Sequence, residues 1–250
     1  MKVLGLDSSG LVAGVALIQD DVLIAEYTTD YKKTHSQTLL PMLDEISNMT
    51  ELDLSTIDAI AVAGGPGSFT GLRIGSATAK GLGLALEKPL ISIPTTAAIA
   101  YNIWDTDKFV CPIMDARRNQ VYTGVYCYTD HRLDTVWEQD TMSIEALAEG
   151  LNCLDHEVIF LGDGVAVYRE KLEALLTIPF SFAPAHVNRQ RAAAVAALAE
   201  VYYKEGKIQT AEEHEPEYLR KSQAERERAE RESVKHADVV KKQENGEKSE

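Results

Sequence analysis

A short apolar strand running into a glycine-rich turn and then a helix occurs twice in this sequence. A chain that repeats such a unit is constrained to a layered α/β fold with related halves. The first copy is Ala59-Ile60-Ala61-Val62-Ala63, then Gly64-Gly65-Pro66-Gly67, then a helix ending near Leu86. The second is a strand from Val158 to Leu161, then Gly162-Asp163-Gly164, then a helix from Val165 to Leu176. A second match, weak alone, points the same way. Leu6-Asp7 closes a strand ahead of a turn and a further strand, and Met114-Asp115 stands in the same place in the second half.

The remaining elements fall into the same order in each half. Strands are expected from Val3 to Asp7, Gly14 to Gln19 and Val22 to Tyr31, separated by the turn formers Ser8-Ser9-Gly10 and Asp20-Asp21 and read as antiparallel hairpins. A helix follows, with Leu39, Leu43 and Ile46 on one side and a capping box from Thr34 to Gln37. Pro41 leaves its start open: a helix from Thr34 would be kinked there, whereas a start near Thr38 puts the proline in the tolerant first turn. A strand from Leu90 to Ile93 and a helix from Thr95 close the first lobe near Trp104. The second lobe reads as strands at Val110 to Asp115, Val121 to Tyr128 and Leu133 to Trp137 and a helix from Ser143 to Leu151. An alanine-rich helix from Asn188 to Glu205 is expected to pack back on the core. The division is therefore a lobe over 1–104, a lobe over 105–221 and a charged tail over 222–250, read as a frayed helix or disordered.

The formal charge of −14 argues against this chain gripping a phosphate backbone unaided, since nucleic-acid affinity comes largely from Lys and Arg. Cys111, Cys127 and Cys153 are odd in number and lack CxxC spacing, which suggests structural thiols and no zinc site. Asp7 comes too early for a signal peptide, and no apolar run approaches membrane-spanning length, so a cytoplasmic protein without membrane contact is expected.

Several residues invite a chemical reading. A glycine-rich loop ahead of a helix can bind phosphate, but a Walker loop needs a lysine where Phe69-Thr70-Gly71 stands, and a dinucleotide fingerprint needs glycine where Thr70 stands. Candidate nucleotide-binding residues are Asp7 at the end of the first strand, with Ser9 as a hydrogen-bond donor and Gly67 in the glycine turn; an exposed turn aspartate is the plain alternative. In the second lobe, Asp115-Ala116-Arg117-Arg118-Asn119-Gln120 fills with side chains a hairpin where glycine would let the backbone approach a phosphate. The two arginines either bind an anion or pair with the acidic surface, and the second is favoured. None of His35, His131, His156, His186, His214 and His236 has a partner at helical spacing, so no metal site and no catalytic set is assigned. The helix from Gly71 to Leu86 carries Gly71, Gly75, Ala79 and Gly83 at successive i+4 positions, with Ala77, Gly81 and Ala85 beside them. So much glycine in a helix implies close backbone approach, to this protein's own sheet or to another chain.

The run Gly65-Pro66-Gly67-Ser68-Phe69-Thr70-Gly71-Leu72-Arg73-Ile74-Gly75 closely resembles the signature of the bacterial TsaB (YeaZ) family. So do Leu6-Asp7-Ser8-Ser9, His35-Ser36-Gln37 with Leu39-Leu40-Pro41, Met114 to Tyr122, and Leu161-Gly162-Asp163-Gly164. The resemblance implies two duplicated lobes of the sugar-kinase/actin-like (ASKHA, ribonuclease H-like) scaffold, with mixed sheets and flanking helices. It implies a noncatalytic subunit that binds and activates TsaD for threonylcarbamoyl transfer to N6 of adenosine 37, in tRNAs reading codons that begin with A. TsaD carries a metal-binding histidine pair that this chain lacks. TsaE, an ATPase, joins the complex; the chain alone is expected to form a homodimer and to meet tRNA only through the complex. It needs no cofactor of its own, with ATP or ADP a matter for the complex. The implied interface uses the helices from about Ser36 to Asn48 and from Gly71 to Leu86, with Leu39, Leu43, Ile46, Gly71, Gly75, Ala79 and Gly83 as its residues. The alternative is a small-molecule kinase of the same fold using Asp7 and the glycine turns.

Overall fold

Two five-stranded mixed sheets are built in the same order in the computed structural model, which describes residues 1–31 and 35–220. The first half contributes β1 (Lys2–Asp7), β2 (Ala13–Gln19), β3 (Val22–Thr29), α1 (Leu39–Thr50), β4 (Ala59–Gly65), α2 (Phe69–Leu86), β5 (Leu90–Pro94) and α3 (Thr95–Ala100). The second contributes β6 (Phe109–Arg117), β7 (Gln120–Thr129), β8 (Arg132–Ser143), α4 (Ile144–Leu154), β9 (Val158–Leu161), α5 (Gly164–Leu175), β10 (Phe180–Phe182) and α6 (Ala192–Lys204). The sheets run β3-β2-β1-β4-β5 and β8-β7-β6-β9-β10, so every strand of one half has its counterpart in the other. In each, the first three strands are antiparallel and the last two join in parallel through helical crossovers. Tight turns with both central residues at positive φ, Asp20-Asp21 and Asp130-His131, close the second hairpin of each half.

The helices form layers around these sheets. On one face of the first sheet, Leu39, Met42, Leu43 and Ile46 of α1 and Ala79 of α2 pack against Leu4, Leu6, Val15, Leu17, Ile60 and Val62. On the outer face of the second, Ile144, Leu147 and Leu151 of α4 and Val165, Tyr168 and Leu172 of α5 pack against Ile113, Val121, Val125 and Phe160. The third core lies between the sheets and contains Val195, Ala196, Leu198 and Ala199 of α6, Ala97 to Ala100 of α3, and strand residues from both halves. Although α6 belongs to the second half by sequence, it lies across β1, β2, β4 and β5 of the first sheet, while α3 touches β6 and β7 of the second. Gly5 makes the α6 contact close: a Cβ there would sit 2.6 Å from the Ala192 carbonyl oxygen.

Local boundaries differ from the sequence reading for physical reasons. Helix α1 begins at Leu39 after a single 3₁₀ turn at His35–Gln37, so Pro41 stands in the first turn, where its missing N–H forfeits no intrahelical bond. Thr34 of the expected capping box and the tail over 222–250 lie outside the described residues. Strand β8 runs on from Trp137 to Ser143, and β10 is a strand that the short, proline-flanked run Phe180–Phe182 does not announce. Helix α6 starts at Ala192, four residues beyond Asn188. After it, the chain returns over the first lobe: Gln209 bridges Leu90, Ala211 and His214 are buried, and the Glu217 N–H donates to the Gly64 carbonyl at 2.7 Å. Among the described residues no helix is long and apolar enough to cross a membrane.

Candidate functional site

The turn after β1 is buried. Asp7, Ser8 and Ser9 are 1%, 2% and 0% exposed, which overturns the exposed-aspartate alternative. Asp7 Oδ1 accepts from the Ser9 N–H at 2.9 Å and from Ser9 Oγ at 2.7 Å, an arrangement that folds the turn back on the strand end. Burial pushes the Asp7 carboxyl up to about 6 against the opposing pull of those two bonds. The Ser8 hydroxyl donates to the Gly71 carbonyl at 2.9 Å, and the Ser68 N–H donates to the Ser9 carbonyl at 2.7 Å. Asp7, Ser9 and Gly67 are thus brought together, and a Cβ on Gly67 would lie 2.2 Å from the Ser9 carbonyl oxygen.

That closeness decides what the turn can do. A phosphate group needs free N–H and O–H donors and a gap left by glycine. Here the Ser8 and Ser9 hydroxyls and the Ser9 and Ser68 N–H groups are committed to the protein, and the Ser9 carbonyl sits where a Gly67 side chain would go, so these groups are not free to hold a phosphate. Asp7 Oδ2 and the amide of Gln190 have no partner among the described residues. Among those residues there is also no cluster of three or more His, Cys, Asp or Glu arranged to hold a metal ion.

The seven expected interface residues all point inward. Leu39, Leu43 and Ile46 belong to the core under α1, and Gly71, Gly75, Ala79 and Gly83 form the buried edge of α2. A Cβ on Gly71 would lie 2.0 Å from the Ser8 carbonyl oxygen, one on Gly75 2.5 Å from Ser8 Oγ, and one on Gly83 3.0 Å from Leu90 Cδ2. The glycine edge therefore answers to this protein's own β1 turn and to β5, and its residues are not a surface. The residues implied by the resemblance lie on the inner faces of their two helices.

The opposite faces are exposed. Helix α2 presents Ala77, Gly81, Leu84 and Ala85 outward, and α1 presents Leu40 and Met49. Leu40, Met49 and Leu84 are 54%, 79% and 59% exposed, and a Cβ on Gly81 would meet nothing within 4 Å. Because both helices pack on the same face of the first sheet, their outward rows share one side of the lobe. The sequence carries a signal for this face: Ala77, Gly81 and Ala85 form its second small-residue row.

In the second lobe, Asp115 Oδ1 accepts from the Arg117 N–H at 2.8 Å and from the Tyr168 hydroxyl at 3.1 Å. Asp163 accepts from the Asp115 N–H, and burial pushes its carboxyl up. Arg117, Arg118 and Asn119 are exposed. Neither arginine side chain is in an ion pair among the described residues. The expectation that they pair with the acidic surface is not met among the described residues, where Glu145 beside Asn119 is engaged by Lys171. Glu145 is ion-paired with Lys171 and accepts from Asn119 Nδ2 at 3.0 Å; Lys171 and its own helix-start backbone, then Asn119, hold its carboxyl down at about 2.

Residues 23–228 match the family model described as TsaD, tRNA N6-adenosine threonylcarbamoyltransferase. The chain is 33% identical over 225 residues to the tRNA threonylcarbamoyladenosine biosynthesis protein TsaB of Bacillus subtilis, covering 90% of this chain and 96% of that one. It is 29% identical over 232 residues to the protein of the same name in Escherichia coli, at the same two coverages. Among solved structures, YeaZ from Pseudomonas aeruginosa superposes with a TM-score of 0.75 at 26% identity, over 87% of this chain and 99% of that one. A polyphosphate/ATP-glucomannokinase from Arthrobacter sp. strain KM superposes with a TM-score of 0.50 at 15% identity, over 81% of this chain and 99% of that one, and shares the fold alone.

Proposed function

Because the chain belongs to the TsaB (YeaZ) family and has a role in tRNA threonylcarbamoyladenosine biosynthesis, we propose that it acts there as a noncatalytic cytoplasmic scaffold. On this reading it binds and activates TsaD, which transfers the threonylcarbamoyl group to N6 of adenosine 37 in tRNAs reading codons that begin with A. TsaE joins the complex, and the chain alone pairs with a second copy through the face that otherwise receives TsaD.

One observation carries this reading. Gly81 sits in the middle of an 18-residue helix, and beyond its chain neighbours and the helix's own backbone no described atom lies within 4 Å of where its Cβ would be. Glycine there costs roughly 1 kcal/mol against alanine, and no contact among the described residues calls for it. A smooth outward row flanked by Leu84, with Leu40 and Met49 on the neighbouring helix, suits a partner helix that must approach closely. The committed donors of the Asp7 turn support the absence of an independent nucleotide chemistry; any ATP or ADP belongs to the assembled complex.

The test is light scattering on size-separated protein, alone and mixed with TsaD of the same organism, comparing wild type with Gly81→Leu and with Leu84→Glu. The expected result is a heteromeric complex for wild type that neither variant forms, while circular dichroism shows both variants folded. Full tRNA modification in cells lacking this chain would sink the scaffold reading.

A kinase reading retains one observation, the unpartnered Oδ2 of buried Asp7. ATP turnover by the isolated chain, abolished by Asp7→Asn, would move the function to that turn.

A further inference from the structure

The hairpin between β6 and β7 is the one place among the described residues where this acidic chain holds two cationic side chains out on a left-handed backbone. Arg117, Arg118 and Asn119 follow one another at φ of 62°, 56° and 60°. Left-handed backbone is cheap for glycine, tolerable for asparagine and unfavourable for a long side chain. Of the eleven non-glycine residues with positive φ among those described, seven are Asp or Glu at turns and helix ends, and these two are the only Arg or Lys. A glycine at either position would relieve the backbone, so the guanidinium itself is what the position retains.

The surroundings keep both side chains available. Asp115 Oδ1 takes the Arg117 N–H at 2.8 Å and fixes the base of the turn. At its far end Asn119 is held from both sides, donating to Glu145 at 3.0 Å and accepting from Lys171 Nζ at 2.8 Å. Glu145, the acid bound to Asn119, is ion-paired with Lys171. The corresponding turn of the first lobe, Ser8-Ser9-Gly10, carries no charge, and its two serines are buried.

We propose that Arg117 and Arg118 form the RNA-contacting point of this chain, gripping phosphodiester oxygens of the tRNA held by the assembled complex without reading its bases. This role rests on the complex proposed above. A net charge of −14 keeps the isolated chain off RNA, while a locked pair of guanidiniums, whose planar forks match phosphate geometry, adds contacts once tRNA is brought near. An acidic protein segment is the competing occupant, and the test separates it.

The complex of this chain with TsaD is titrated with two unmodified tRNA transcripts, one reading a codon that begins with A and one not, over a range of salt. Wild type is compared with the double variants Arg117→Gly/Arg118→Gly and Arg117→Lys/Arg118→Lys. The glycine variant is expected to bind both transcripts more weakly by the same factor, roughly tenfold near physiological salt, and to show a salt slope shallower by about 0.7 to 0.9 for each phosphate no longer neutralised. It is expected to melt no lower than wild type, since glycine relaxes the turn, which separates a binding role from a structural one. The lysine variant restores most of the slope because a phosphate also accepts a point charge. Unchanged affinity and slope in the glycine variant overturn the proposal. So does failure of the glycine variant to hold TsaD with RNA binding otherwise intact, which would assign the arginines to an acidic protein surface. If the wild-type chain does not join TsaD at all, the scaffold reading fails before any arginine is changed, and the RNA-contacting role falls with it.

Discussion

Asp7 and Asp115 stand at the same point of the two lobes and do the same thing there: each carboxylate accepts the backbone N–H two residues ahead, from Ser9 at 2.9 Å and from Arg117 at 2.8 Å. The first turn is sealed beneath α2 and the second faces solvent. A shared strand-end device has thus been kept in both halves, in one as part of the core and in the other as the base of an exposed hairpin.

The burial of Asp7 makes stability depend on pH. Its folded carboxyl titrates near 6 and its unfolded one near the ordinary 3.8, so between these values the folded state holds the extra proton. Stability therefore falls as pH rises through that window, and the loss is complete above it, amounting to about 2–3 kcal/mol. Urea unfolding of wild type and Asp7→Asn at pH 4.5 and 7.5 should show the variant gaining on wild type at the higher pH. Parallel curves at the two values would refute the assignment.

Two glycines of one helix should respond oppositely to alanine. Gly71→Ala places a methyl 2.0 Å from the Ser8 carbonyl, a backbone atom that cannot step aside, and is expected to cost about 3 kcal/mol. Gly81→Ala meets open space and should stabilise the isolated protein by up to about 1 kcal/mol. Thermal melts of the two single variants decide it, and a destabilised Gly81→Ala would mean that the outward row is packed within the protomer.

The start of α6 is capped from another element. Arg191, which precedes the helix, offers no side-chain cap, and Glu26 of β3 accepts instead from the Ala193 N–H at 3.1 Å while pairing with the Arg191 guanidinium. Glu26→Ala is expected to cost about 2 kcal/mol by leaving a helix N–H and a half-covered guanidinium without their acceptor. Denaturant midpoints should rank wild type highest, then Glu26→Gln, which keeps an amide oxygen for the cap, then Glu26→Ala.

The cysteines should differ sharply toward a thiol reagent at pH 8. Cys111 is buried, and burial pushes its thiol up to about 12, so it should stay unlabelled until the protein unfolds. Cys153 is exposed and should react within the dead time of a manual assay. Native-state labelling followed by peptide mass mapping distinguishes them; early modification of Cys111 would contradict its burial.

The duplicated strand order can be read from the chain because apolar runs, turn formers and glycine turns recur in sequence order, and each of those signals is local. Orientation cannot be read in the same way. The i+4 repeat of Gly71, Gly75, Ala79 and Gly83 marks a close approach but does not say to what, and Ser8, sixty-three residues from Gly71, supplies the answer. Likewise Arg117 and Arg118 read as ordinary surface charge, since nothing in their neighbours reveals three successive left-handed residues or an acid already claimed by Lys171. Strand β10 escapes the sequence pattern because its three residues, in a four-residue stretch between Pro179 and Pro184, gain their strand geometry from pairing with β9.

Helix α6 is the last of the described helices and packs on the sheet made first. As the chain leaves the ribosome, the inner face of the first sheet, with Val3, Ala61 and Ile91, has all its strands long before the helix that covers it is synthesised. The first half therefore cannot cover its own sheet as an independent N-terminal domain, and its folding must wait for the chain to emerge through Lys204. A nascent chain stalled before α6 would show a bare apolar sheet to chaperones and proteases, whatever the quality of its earlier elements.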